Sequence, residues 1–329
     1  MVRFLFLFLV LLLPAAAGAV PQQPDIDAYR ALVALDKRII TTGYRLAGAN
    51  APFCKNRQHN PGWALHSYRQ YPDRDTARAA FAFPMPVAIA ALVDGGPADK
   101  AGLREGDSFT DLPGGIWWGG ELIKHEPSFE LTDMIGTRLA ELLDGGEAVN
   151  LPIKTAADNR ERTVALRPPA ICASTFIISS DGKDDAGADG QYVRISAALA
   201  EYTPDPEEFA AIVAHELAHN ILEHRKRLDG MKVKRGIGRM FGKSKKAILQ
   251  TEVEADQLSV WLMVNAGYDP SAAVRFWQRR GPEKGLGLLS DGTHPGWRDR
   301  VKMLEAEIKL IEALDRRSLP YQPPLLAKM

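Results

Sequence analysis

Five consecutive residues carry the strongest chemical signal in the chain: His215-Glu216-Leu217-Ala218-His219. Four residues advance an α-helix by about 400°, so the two imidazoles leave nearly the same face and can converge on one cation. Imidazole nitrogen suits zinc. A carboxylate next to the first histidine is placed to take a proton from an attacking water and pass it to a leaving amine. A second run, Thr251-Glu252-Val253-Glu254-Ala255-Asp256, supplies what the pair lacks. Glu252 offers a third, oxygen ligand. Asp256, one helical turn on, can hydrogen-bond a ligand imidazole and fix its tautomer. Glu254 points about 200° away from Glu252 and is not expected at the same ion. Two surface histidines would give the five-residue pattern with no metal at all, and the acidic run weighs against that.

Two other histidines compete for the third ligand position. His224 lies five residues past His219, about 500° around a continued helix and so on a different face; it is set aside as a ligand. His294, in Thr293-His294-Pro295, sits in a loop before a final helical stretch and suits a contact to substrate or oxyanion better than resting ligation.

These residues need rigid carriers. Apolar residues at helical spacing predict helices over Pro206–Glu223, Leu249–Ala266 and Trp297 to about Leu314. Before them, Cys172–Ile178 reads as a strand and Asp181–Gly190 as a polar turn. Gln191–Ile195 reads as the returning arm of a hairpin. Between the first two helices, Arg225–Lys246 holds ten Lys or Arg against one acidic residue. A solvated linker, a lid over the cleft and a peripheral contact to anionic lipid all remain open for it. With no recognition fold and no interspersed stacking aromatics, nucleic acid is not an expected partner.

Upstream, residues 23 to about 48 read as one helix, Ala51–Arg74 as irregular, and Ala79–Ile89 as strand-like. The stretch Gly96-Pro97-Ala98-Asp99-Lys100-Ala101-Gly102-Leu103-Arg104-Glu105-Gly106-Asp107 suits a short helix between tight turns. Short strands near 108–112, 149–153 and 162–166 and a helix over about 128–143 complete a pattern that resembles a PDZ domain spanning residues 79–168. That resemblance implies binding of an extended peptide beside a sheet edge. Phe81-Ala82-Phe83-Pro84-Met85 approximates the groove loop, although Pro84 lacks an amide proton. A domain that only braces or orients its neighbour is the other reading.

The downstream motifs, taken in order, resemble the M48 family of zinc metallopeptidases: His215-Glu216-Leu217-Ala218-His219, then Glu252-Val253-Glu254-Ala255-Asp256, then His294-Pro295 followed by Arg300. The resemblance implies His215, His219 and Glu252 as Zn2+ ligands and Glu216 as general base. It implies Asp256 behind a ligand histidine, with His294 and Arg300 beside the cleft and His294 stabilising a tetrahedral intermediate. Many members carry membrane helices around these motifs, and this sequence has none there, so their substrates are not carried over. The expected fold is α+β, a mainly helical zincin-like domain with a small PDZ-like β-rich domain. The expected division is a signal peptide at 1–19, a helical segment at 20–78, the PDZ-like part at 79–168 and the metallopeptidase part at 169–329. Hydrolysis of internal peptide bonds in polypeptide substrates is the expected activity. A peptide-binding or chaperone-like protein with a latent centre is the alternative.

Composition fits a folded protein, 46% hydrophobic and 25% charged, with 41 basic against 41 acidic residues. No whole-chain charge favours a polyanion. Arg3, an apolar run from Phe4 to Leu13 and the small residues Ala17-Gly18-Ala19 form a leader with cleavage after Ala19, giving a periplasmic or secreted product. An uncleaved anchor is disfavoured because the run is short for a bilayer. An oxidising compartment would let Cys54 and Cys172 pair, and two buried thiols are the alternative. Oligomeric state is not legible.

Overall fold

The computed structural model describes residues 23–112, 115, 127–233, 242–285 and 295–328. The expected leader and His294 lie outside the described residues.

A 27-residue helix, α1 (Gln23–Ala49), opens the described chain. Its Ile39, Ile40, Leu46 and Ala47 are buried in the larger of two hydrophobic clusters. Gly43 is required on it: a Cβ there would stand 2.4 Å from the Phe176 ring, so any side chain would push helix and ring apart. Cys54 follows, bonded to Cys172 with Cα atoms 5.4 Å apart. Beside the bond runs β1 (Arg57–His59).

The chain then builds an open, antiparallel five-stranded sheet from β2 (Trp63–Ser67), β3 (Val87–Leu92), β4 (Ser108–Phe109), β5 (Val149–Lys154) and β6 (Glu161–Leu166), in that order across the sheet. It is not closed into a barrel. Two short helices lie in its connections, α2 (Arg74–Ala80) and α3 (Pro97–Lys100). A longer one, α4 (Glu130–Leu143), covers it: Leu131, Ile135, Leu139 and Leu143 repeat every four residues. They meet Leu151, Ile153, Val164 and Leu166, the inward alternates of β5 and β6, in the second hydrophobic cluster. Two local expectations are corrected. The segment read as irregular contains β1 and β2, and β2 is a strand because β3 pairs with it across a bulge at Ala64/Leu65. The run read as a strand from Ala79 begins as the end of α2, whose start is capped by the Asp73 carboxylate on the Asp75 and Thr76 amides. Strand geometry begins only at Val87, past Pro84 and Pro86.

The sheet unit leaves and rejoins the rest through one neck. There β7 (Ala170–Cys172) pairs antiparallel with β1, and the Asn60 amide extends the ladder to the Pro169 carbonyl at 3.1 Å. The disulfide staples this neck.

A third sheet holds β8 (Thr175–Ser179), β9 (Ala186–Ala188) and β10 (Tyr192–Ser196) in the order β8-β10-β9. The expected hairpin of the first and last of these is not formed. They run parallel, and the antiparallel partner of β10 is β9. A tight turn makes this so: the Asp189 carboxylate accepts from the Gln191 and Tyr192 amides, and Gly190 adopts φ +101°. Helices complete the fold: α5 (Ala197–Tyr202), α6 (Pro206–Ile221), α7 (His224–Gly230), α8 (Gly242–Asn265), α9 (Ser271–Gly285) and α10 (Trp297–Glu312). The molecule is mainly helical among the described residues, with three small sheets there. Among the described residues, no helix is long and apolar enough to cross a membrane.

Candidate metal centre

Helix α6 starts at Pro206, whose missing amide proton costs nothing at a first helical position, behind the cap from Asp205 to the Glu207 amide. Ala210, Ala214 and Ala218 recur along it and are fully buried, as is Ala255 on α8. Small side chains there let the two backbones approach closely. Glu252 and Asp256, one turn apart on α8, thereby reach the two histidines of α6.

His215 Nε2 lies 3.2 Å from His219 Nε2. One Glu252 oxygen lies 3.5 Å from the first nitrogen and the other 3.6 Å from the second. Two nitrogen ligands about 2.05 Å from a tetrahedral zinc stand about 3.3 Å apart, so the spacing fits that ion's ligand shell. His215, His219 and Glu252 form a buried cluster able to hold a metal ion.

No protein-family model matches the chain, and no curated protein does. The chemistry of the centre therefore rests on its own geometry.

Behind His215 the support is buried and charged. Asp256 Oδ1 lies 2.9 Å from His215 Nδ1. Arg300 grips the same carboxylate through two nitrogens, Nη2 to Oδ1 at 2.5 Å and Nε to Oδ2 at 2.7 Å. Its guanidinium lies 3.8 Å from the Trp277 ring centre. Asp256 and Arg300 are 1% and 3% exposed, so either alone would be a stranded charge. Burial works to raise the Asp256 pKa, but Arg300 and His215 more than offset it and hold the carboxyl below its ordinary value. Burial likewise works to depress His215, yet the Asp256 and Glu252 carboxylates lift it to about 10. His219 is pushed down to about 3 by burial, with His215 adding to the effect.

The cluster opens on a cavity of about 1160 Å³. Glu216 lines it beside the two histidines, as do Ala186, Gly187 and Ala188 of β9, which is an edge strand among the described residues. Phe276, Trp277 and Trp297 supply apolar wall. Of the residues singled out from sequence, His215, Glu216, His219, Glu252, Asp256 and Arg300 thus share one site. His294 falls outside the described residues, and the cysteines form the neck disulfide away from the cavity lining.

Sequence reasoning missed one neighbour. His224 does not lie on a remote face: its Nδ1 is 2.9 Å from His219 Nδ1. Helix α6 stops at Ile221, and Glu223 turns the chain with φ +49° before α7 begins. No glycine or proline marks that break, so extrapolating the helix placed His224 wrongly. It is not one of the three residues of the candidate cluster.

Proposed function

We propose that the chain is a zinc-dependent endopeptidase of the M48 type. The observation that carries the proposal is the convergence of His215, His219 and Glu252, with Glu216 beside them in a cavity bordered by a sheet edge. When bound, zinc would polarise a peptide carbonyl and acidify an attacking water. His215 and His219 would hold it through Nε2 and Glu252 through its carboxylate. Glu216 would take the proton of the attacking water and deliver it to the amine nitrogen as the C–N bond breaks. His294 would steady the oxyanion. Strand β9 suits an extended polypeptide, which would add to it through main-chain hydrogen bonds.

The sheet of β2 to β6 with α4 is proposed as a PDZ-like module that recruits polypeptide. A cavity of about 720 Å³ bordered by β2, an edge strand among the described residues, and by α4, with Trp63, Leu65, Phe129 and Thr132 in its walls, supports that reading. Export to the periplasm or exterior is proposed from the leader, and the Cys54–Cys172 bond is in keeping with an oxidising compartment. The basic 225–246 segment is a proposed contact for anionic lipid.

Incubating zinc-loaded protein with an unfolded polypeptide, beside chelated protein and Glu216→Gln, tests the activity. Expected are cleavage by the first, none by the second, and a loss of about 10²–10⁴-fold in the variant with zinc retained. Equal cleavage by variant and wild type would sink the proposal. Binding without cleavage by the zinc-loaded wild type would favour the chaperone-like alternative.

A further inference from the structure

His219 has a second ring nitrogen, and a buried chain of partners engages it. His224 Nδ1 faces it at 2.9 Å, and His224 Nε2 stands 3.1 Å from Glu254 Oε2. Glu254 is anchored in turn by Arg227 Nη2 at 2.5 Å and by Gln250 Nε2 at 2.9 Å. His224 is 2% exposed, and the Glu254 side chain 13%.

Proton positions follow from the outer end inward. A carboxylate paired with a guanidinium only accepts, so His224 carries its proton on Nε2. Its Nδ1 is then a lone pair, and the 2.9 Å contact requires the proton to sit on His219 Nδ1. His219 Nε2 is left as a lone pair, directed at the point it shares with His215 Nε2 and Glu252. Arg227, Glu254 and His224 thus do for His219 what Arg300 and Asp256 do for His215. The backbone is shaped for it: Glu223 takes up a left-handed conformation that L-residues with side chains rarely adopt, and this turns His224 back toward His219.

We infer that His224 and Glu254 are positioning residues of the metal centre, holding His219 in the tautomer that presents Nε2 to a divalent cation. The inference rests on the zinc reading above. A plain structural tie between α7 and α8 would use the same contacts but would not care about their direction, and that difference can be measured.

Zinc affinity of the full purified chain would be measured by competition with a chromophoric chelator, together with the visible spectrum of the cobalt(II)-substituted protein. His224→Leu, which cannot accept a hydrogen bond, is expected to weaken zinc binding about 10–100-fold and alter the cobalt spectrum. His224→Asn, whose amide oxygen falls near the place of Nδ1, is expected to recover most of that loss. A guanidinium only donates, so the position that meets both Arg227 and His224 stays an acceptor in Glu254→Gln, which is expected to bind zinc with close to wild-type affinity. Glu254→Leu removes that acceptor and is expected to weaken zinc binding about tenfold. Melting of the chelated proteins reports folding, and if His224→Leu does not fold, Glu254→Leu against Glu254→Gln reads the same relay. Folded Leu variants that bind zinc as tightly as wild type would overturn the relay alone, as would equal losses in the Leu variant and its amide counterpart. A wild type that binds no zinc would overturn the metal reading and the relay with it.

Discussion

At His215 a proton and a metal ion compete for one lone pair. Asp256 fixes Nδ1, and Asp256 and Glu252 together lift the pKa to about 10, so the proton is held firmly at neutral pH. A divalent cation must displace it. Apparent zinc affinity is therefore expected to rise about tenfold per pH unit through neutrality, with close to one proton released per zinc at pH 7. Calorimetric titration in buffers of different protonation enthalpy counts that proton, and binding with no release would contradict the arrangement. The cluster of His215, His219 and Glu252 and its neighbour Asp256 were legible in the sequence because each pair is local: His215 to His219 and Glu252 to Asp256 are both one helical turn. His224 was not, because its place depends on a chain reversal at Glu223 that carries no sequence mark. Neither was the tie of Glu254 to Arg227, which joins residues 27 positions apart.

Between elements, what matters is how close α6 and α8 lie. Alanines at 214, 218 and 255 are fully buried, and Glu252 on one helix stands 3.5 and 3.6 Å from the histidine nitrogens of the other. Ala255→Leu should wedge the pair apart at a cost of about 1–3 kcal/mol. Zinc binding should fall along with stability, because Glu252 moves with its helix. Chemical denaturation of the chelated variant and zinc competition check the two effects separately. An undiminished affinity at reduced stability would mean that the ligands are positioned locally, not by helix packing. The main helices could be read from apolar periodicity, which is internal to each segment. Partnering of strands could not: β10 chooses β8 as a parallel neighbour and β9 as an antiparallel one. Nothing within Tyr192–Ser196 distinguishes that from a simple hairpin. The same holds for β2, whose strand identity is conferred by β3.

On the scale of the molecule, two hydrophobic clusters are joined by a stapled neck and a seam, and the seam contains a misplaced charge. Asp36 of α1 lines the cavity of about 720 Å³ where α1, β2, α4 and β8 come together. Burial pushes its carboxyl up to about 7, only partly opposed by the Ile178 amide 3.4 Å away. Because the folded pKa lies above the unfolded value, the folded state keeps a proton that the unfolded chain loses. Its contribution therefore costs stability progressively as pH rises from about 4 to 7, and the cost is full above that. Asp36→Asn keeps an acceptor for Ile178 and carries no charge. It should match wild type near pH 4 and exceed it by roughly 2 kcal/mol at pH 8, a figure reduced from the full shift because the carboxyl faces a water-accessible cavity. Denaturant unfolding of both proteins across this range gives the comparison, and a gap that does not change with pH would refute it. A carboxylate at this cost in a seam between two cores is not explained by packing, since asparagine would keep the acceptor for Ile178 without a charge. The pH profile shows whether the charge is formed there under neutral conditions.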